Sequence, residues 1–354
     1  MVFVSLPEHT SRGSPVAMKP LGGSVAVVVG ATQGMGWAIA WKLGQAGATV
    51  YCAGCGRRTT GRKGYHAGRG ATVEETAALV EGAGGVGIPI RFNPRVNTQV
   101  AELFARVRRE HGRLDVLINV SGMRSSGTSL GRFWTYTRNE AHALHRAVWP
   151  HVLTCEHAAP LMVEHGSGLI VEVTSGDALF DRPPLFSDLG GVAQIRLAAA
   201  VAKELAPHGV TVLTLTPGYL QTEALGLNVV GLKSGWASRA KSDPILGLCE
   251  KPTFVGRVMV ALATDPRISR KSGGLYSAWA LGKEYGLTSE DGGGSLPEHH
   301  VSEPFRPMLL DDRRLRSARP RFDQMNPAVA MDGSVRINGL YDRTRTPAGD
   351  FNPA

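Results

Sequence analysis

Three glycines mark the clearest chemistry in this chain. The stretch Gly30-Ala31-Thr32-Gln33-Gly34-Met35-Gly36 separates an apolar run, Val25 to Val29, from an apolar-periodic segment, Trp37 to Ala46. A strand, a glycine turn and a helix in that order build a site for the pyrophosphate of a dinucleotide. Gly30 permits the sharp turn out of the strand. Gly34 and Gly36 lack the Cβ atoms that would block phosphates and the close packing of helix on sheet. The amides bared at these glycines and the positive end of the helix dipole are expected to hold the phosphates. Thr32, Gln33 and Met35 complete the turn as cofactor contacts.

Other residues have reactive types or spacings. Cys52-Ala53-Gly54-Cys55 has the spacing of a redox pair or half a zinc site. No second cysteine pair or closely spaced histidine pair follows, so a buried strand thiol and no metal are expected. His142, His145, His151 and His157 crowd one helical stretch, with only Glu140 and Glu156 as local carboxylates. Ordinary surface or cofactor-side histidines are the expected reading, with His145 or His151 as candidates near a substrate. Asp177 and Asp188 are candidate acids or bases, against a plainer reading as solvated loop carboxylates. Trp134 and Tyr136 follow a Ser/Gly-rich loop and read equally as substrate wall or core.

These residues need a frame to position them. Strands are expected over 25–29, 49–53, 87–92, 114–119, 169–174 and 210–216. Helices are expected over 35–46, 73–82, 98–111, 140–165 (interrupted before Pro150) and 191–207. A helix over 254–263 and a short strand near 274–277 finish the pattern. Short apolar strands alternating with helices predict parallel pairing through right-handed crossovers. The fold class is therefore α/β, a three-layer doubly wound parallel sheet in a single domain. That domain is expected to span 23–289, after an irregular extension, 1–22, in which Met18 is an alternative start to Met1. Glycine, proline and arginine dominate 290–354, which reads as a mostly irregular tail.

Composition narrows the partners. A 354-residue chain with 43% hydrophobic residues can bury a large core, and no apolar run approaches the roughly 18 residues of a membrane span. Four cysteines and no visible secretion signal suit a reducing, cytoplasmic setting. The net charge of +9 is uneven: from His9 to Val73 there is no Asp or Glu. Such a field favours an anion, and a phosphorylated cofactor accounts for it without a nucleic acid, for which no motif is present.

Three motifs in order resemble the short-chain dehydrogenase/reductase family over roughly residues 20 to 285. Gly30, Gly34 and Gly36 match its glycine motif, which implies a Rossmann-type fold. Leu117-Ile118-Asn119-Val120-Ser121-Gly122 is similar to its Asn-Asn-Ala-Gly motif, retaining Asn119 and Gly122. Thr216-Pro217-Gly218-Tyr219-Leu220-Gln221-Thr222 matches its Pro-Gly motif, where Thr222 would contact the nicotinamide carboxamide. The stretch from Pro252 to Asp291 looks like a bacterial branch with extended C-termini. Members using NAD carry an acid at the end of the second strand. This chain has Gly54-Cys55-Gly56-Arg57-Arg58 there, so the resemblance implies NADP, with Arg57 and Arg58 on its 2′-phosphate and NAD the lesser alternative. Asn93 stands where the family often has an adenine-side Asp.

The family's catalytic Tyr-x-x-x-Lys is not here. Counting back from Glu204-Leu205-Ala206-Pro207 places Ser187 at the Tyr position and Gly191 at the Lys position. Thr174 or Ser175 fills the strand-end Ser position, and Ala147 stands where the helix Asn would be. The catalytic candidates are therefore Ser175, Thr174, Ser187 and Asp188. Two functions follow: an NADP(H)-dependent oxidoreductase for a carbonyl or alcohol with altered proton transfer, or a degenerate pseudoenzyme or repurposed non-redox descendant (cyclase or isomerase), with or without retained nucleotide binding. The segment 225–249 corresponds to the family's substrate lid. Small residues at Ala198-Ala199-Ala200 and Ala202 suit a helix packed across a two-fold axis, so a homodimer or homotetramer is expected beside the small-molecule substrate.

Overall fold

Runs of Val, Ile and Leu too short for helices, each bounded by glycine or polar residues, form the strands. A computed structural model describes residues 19–55, 72–120, 134, 138–174, 185–218, 220–222 and 249–288, with backbone only at 138–141 and 187. The order is β1 (Val25–Val29), α1 (Met35–Gln45), β2 (Thr49–Gly54), α2 (Val73–Gly82), β3 (Val86–Arg91), α3 (Asn97–His111) and β4 (Val116–Asn119). Then come α4 (Arg138–His165), β5 (Gly168–Val173), α5 (Leu185–Leu205), β6 (Val210–Thr216), α6 (Pro252–Thr264), β7 (Leu275–Ser277) and α7 (Ala278–Glu284).

All neighbouring strands pair in parallel, in the order β3-β2-β1-β4-β5-β6-β7. The direction of winding reverses between β1 and β4, and such a switch point opens a crevice at the C-terminal strand ends. Alternate residues divide the core into two layers. Val28, Cys52, Ile118 and Val171 meet Ile39 and Leu43 of α1 and Phe254 and Val258 of α6. Val27, Tyr51, Leu117 and Ile170 meet Phe104 of α3, Leu161 of α4 and Ala198 of α5. This is the three-layer doubly wound sheet that the strand–helix alternation predicts.

Two details depart from expectation. Helix α4 runs unbroken through Pro150 and Pro160. A proline there removes the bond that its own N–H would make to the carbonyl one turn back, yet the helix continues on both sides of it. Helix α5 begins at Leu185, not at residue 191, so Gly190 and Gly191 lie inside it. Gly190 is there for space, because a Cβ would stand 2.7 Å from Ala147 Cβ of α4.

Helix α2 lies as closely on β3: a Cβ at Gly87 would meet the Ala77 carbonyl oxygen at 2.1 Å. Gly87→Ala is expected to lose about 1–3 kcal/mol of stability, the usual cost of overpacking, read as a lower urea midpoint at unchanged slope. An unchanged midpoint would show that the contact is not this tight.

Candidate active site

Gly30 (φ 91°) and Gly34 (φ 58°) take the left-handed backbone that the turn out of β1 requires. At Gly36 the requirement is space, since a Cβ would lie 2.1 Å from the Gly30 carbonyl oxygen. The Gly30 and Ala31 amides donate to the Ala53 carbonyl at 2.8 and 3.1 Å, and the Gly36 amide to Gln33 at 3.1 Å. That corrects one expectation: Gly30 and Gly36 spend their amides inside the protein and contribute by shape. Thr76 Oγ1 of α2 donates to the Ala31 carbonyl at 2.7 Å and pins the turn. No side chain caps α1 and no acid sits in its first turn, so the positive dipole end is not offset there. Gln33 is exposed, Thr32 is half-buried and Met35 is buried beneath them.

The other strand ends open on the same edge. Asn93, just past β3, accepts from the Arg95 amide at 3.1 Å and shapes the turn into α3. Pro217 and Gly218 follow β6. A Cβ at Gly34 would come within 3.8 Å of Thr222 Cγ2. Strands β1 and β6 are three strand spacings apart, about 14 Å. The chain after β6 therefore reaches back over the crevice to the glycine turn. Gln221 anchors that reach, its amide donating to the Glu250 carbonyl and its side chain to the Cys249 carbonyl, both at 2.8 Å. Residues 221 and 249–250, on either side of the stretch outside the described residues, are thereby held together. Arg57, Arg58, Gly122, Ser175, Asp177, Tyr136 and the lid itself lie outside the described residues.

Ser187 and Gly191, at the positions expected for the family's catalytic pair, fall on α5. Ser187 and Gly191 are one helical turn apart, on one face of the helix. Gly191 is buried, and Thr174 Oγ1 donates to its carbonyl at 3.1 Å. The Thr174 hydroxyl thus ties the end of β5 to α5. Asp188 sits in the first turn of α5, where a carboxylate complements the helix dipole.

Beneath these positions lies a buried polar cluster that sequence reasoning missed. Asn119 on β4 and Glu172 on β5 are register partners, both on the layer facing α4 and α5. Asn119, His151, Thr154, Glu172 and Gln194 are all buried. Asn119 Nδ2 donates to Glu172 Oε1 at 2.7 Å, and Asn119 Oδ1 accepts from Thr154 Oγ1 at 3.0 Å. Cys155 Sγ also donates to Glu172 Oε1, at 3.1 Å, and His151 Nδ1 bonds Glu172 Oε2. Gln194 Nε2 lies 2.9 Å from the Ala147 carbonyl and 3.1 Å from His151 Nε2. Asn119 therefore turns its side chain into the protein and braces the strand end. The signal was a single carboxylate, Glu172, in the otherwise apolar run Gly168–Val173.

The remaining candidates separate. Of the four histidines, His157 bonds Asn97 Oδ1 at 2.7 Å and His145 stacks on Trp149. Only His151 faces the core, and among the described residues no group of three or more His, Cys, Asp or Glu could hold a metal. Trp134 is 66% exposed, which removes it from the core. Cys52 is buried and Cys55 exposed, and all four cysteines are free.

Against known proteins, the model of the family described as short chain dehydrogenase matches residues 24–228. The chain belongs to the short-chain dehydrogenase family. Among its relatives is mouse "Dehydrogenase/reductase SDR family member 1", 35% identical over 286 residues, covering 77% of this chain and 85% of that protein. The human protein of that name is 33% identical over 285 residues, with the same coverage. A solved short-chain type dehydrogenase/reductase from Mycobacterium marinum has the same fold, with a TM-score of 0.59 at 23% identity, over 73% of this chain and 95% of that one. A Beutenbergia cavernae protein solved with NADP bound at low occupancy has a TM-score of 0.57 at 22% identity, over 73% and 96% of the two chains. Membership of this oxidoreductase family, whose fold binds NAD(P), is the level at which the chain is placed. No described helix is long and apolar enough to cross a membrane.

Burial alone separates the four thiols. It pushes the Cys52 thiol up to about 12, and burial and the Glu172 carboxyl raise Cys155 well above its ordinary value. A raised thiol is a poor nucleophile at neutral pH. The native protein, titrated with an aromatic disulfide at pH 8, is expected to release one fast equivalent, and the Cys55→Ser variant none. Two fast equivalents in the native chain would contradict the burial of Cys52.

Proposed function

We propose that this chain is an NADP(H)-dependent oxidoreductase acting on a carbonyl or alcohol, with its proton handled by groups other than tyrosine and lysine. The observation that carries this reading is the approach of Thr222 to Gly34 across the crevice, which brings the nicotinamide-side segment and the pyrophosphate turn into one continuous site. The bound dinucleotide would supply or accept a hydride. Met35 and Gly36 hold the floor of the phosphate turn, and Thr76 keeps that floor from moving. The end of β2 offers no carboxylate to a ribose 2′-hydroxyl, and Arg57 and Arg58 follow it, which supports NADP over NAD.

The proton step is the altered part. A positioned general acid contributes typically 10²–10⁴-fold. A serine hydroxyl at residue 187 does not ionise near neutrality, and Gly191 places no cation beside the ribose. The Ser175 hydroxyl with a bound water remains to polarise a substrate oxygen, with Asp188 nearby in sequence. The loss at both 187 and 191 also favours a second reading, a nucleotide-binding descendant that no longer performs redox chemistry. Exposed Trp149, Leu185 and Leu189 on α4 and α5 support self-association through these helices.

Two measurements separate the readings. Nicotinamide fluorescence on titration with NADPH is expected to show saturable binding, and no binding at high micromolar concentration would sink the redox reading and the arginine argument for NADP. The double variant Ser187→Tyr with Gly191→Lys is then compared with the native chain on a panel of ketones. Native activity that rises about 10²-fold or more in the variant supports the redox reading. Activity found only in the variant supports the second.

A further inference from the structure

We propose that Glu172 is a buried carboxylate beneath the nicotinamide end of the site, and that it makes the chain bind the oxidised cofactor in preference to the reduced one. The inference rests on the cofactor reading above and extends it to the charge of the ring.

The protonation state follows from hydrogen-bond chemistry alone. A backbone carbonyl can only accept, so the Gln194 atom 2.9 Å from the Ala147 oxygen is the amide nitrogen. That nitrogen has a second hydrogen, which it directs to His151 Nε2 at 3.1 Å. His151 Nε2 is therefore the acceptor, and the ring's proton sits on Nδ1. Nδ1–H donates to Glu172 Oε2, so that oxygen carries no proton. Glu172 Oε1 already accepts from Asn119 Nδ2 and from the Cys155 thiol. Both oxygens of Glu172 are therefore acceptors, as a carboxylate's are.

Position turns this charge to use. Glu172 lies two residues before Thr174 on β5, about 7 Å below the strand end. At the family's lysine position, where a cation would offset it, stands Gly191. The described groups facing the pair from α4, α5 and β4 are Thr154, Cys155, Gln194 and Asn119, none of them charged. The oxidised and reduced dinucleotides carry the same phosphates and differ by one positive charge on the nicotinamide ring. A buried anion acting over roughly 10 Å, in a medium of effective dielectric near 20, stabilises a unit positive charge by roughly tenfold in affinity. The dinucleotide, when bound, would supply the hydride for a carbonyl, and its ring would then be in the cationic form that Glu172 favours. Glu172 thus favours carbonyl reduction on the protein and offsets part of the missing acid.

The test is the ratio of dissociation constants for NADP+ and NADPH, measured by calorimetry on the native chain and on Glu172→Gln. The native chain is expected to bind NADP+ at least as tightly as NADPH. In Glu172→Gln the NADP+ constant is expected to rise about tenfold while that for NADPH stays within twofold. A purely structural role would weaken both forms alike and leave the ratio unchanged, and that result overturns the proposal. Should Glu172→Gln fail to fold, His151→Leu with Glu172→Met replaces the buried pair by apolar groups of similar volume and carries the same expectation. If neither cofactor form, phosphorylated or not, binds the native chain, the cofactor reading itself falls. Binding of both with an unaltered ratio removes the charge proposal alone.

Discussion

A methyl group on residue 36 would stand 2.1 Å from the carbonyl oxygen of residue 30, and the cofactor end of the sheet depends on that space being empty. Because it is empty, α1 starts directly at the end of β1 with its dipole aimed along the crevice. Because α1 lies so close, its other face reaches α6, where Phe254, Val258 and Leu262 close one layer of the core. The hydrogen bond from Thr76 to the Ala31 carbonyl then fixes the turn from the side of α2. Shape at a single backbone position thus links the site to the packing of three helices.

The opposite layer has been rebuilt around polarity. Strands β4 and β5 each send one hydrogen-bonding side chain into it, Asn119 and Glu172, and α4 and α5 answer with Thr154, His151 and Gln194. A buried polar group costs free energy unless it is satisfied. Here each partner satisfies another: Gln194 sets the His151 tautomer, His151 and Asn119 hold the carboxylate, and Thr154 closes Asn119. Gly190 allows α5 to approach Ala147 closely enough for Gln194 to reach across. The stretch of α5 that holds Ser187 and Gly191 thus makes a close helix crossing over the polar cluster.

Much of this architecture was legible in the residues. The strand–helix alternation specified parallel strands, and the glycine spacing specified the tight turn from β1 into α1, because both depend on local geometry and period. The boundaries of α4 and α5 were less legible. Pro150 reads as a break, yet α4 runs on through it. Gly190 and Gly191 read as a helix start, yet the close contact with α4 repays their low helix propensity. In both places packing overrode a local preference.

The sequence by itself determined the fold class, the family and the glycine turn after β1, since period, glycine placement and motif order are properties of short segments. Only the tertiary structure decided which glycine amides are spent on the protein's own carbonyls. It alone turned Asn119 inward and joined residues from 119 to 194 around one carboxylate. Such a cluster has no sequence pattern, because its members come from two strands and two helices and meet only when the sheet and its covering layer close.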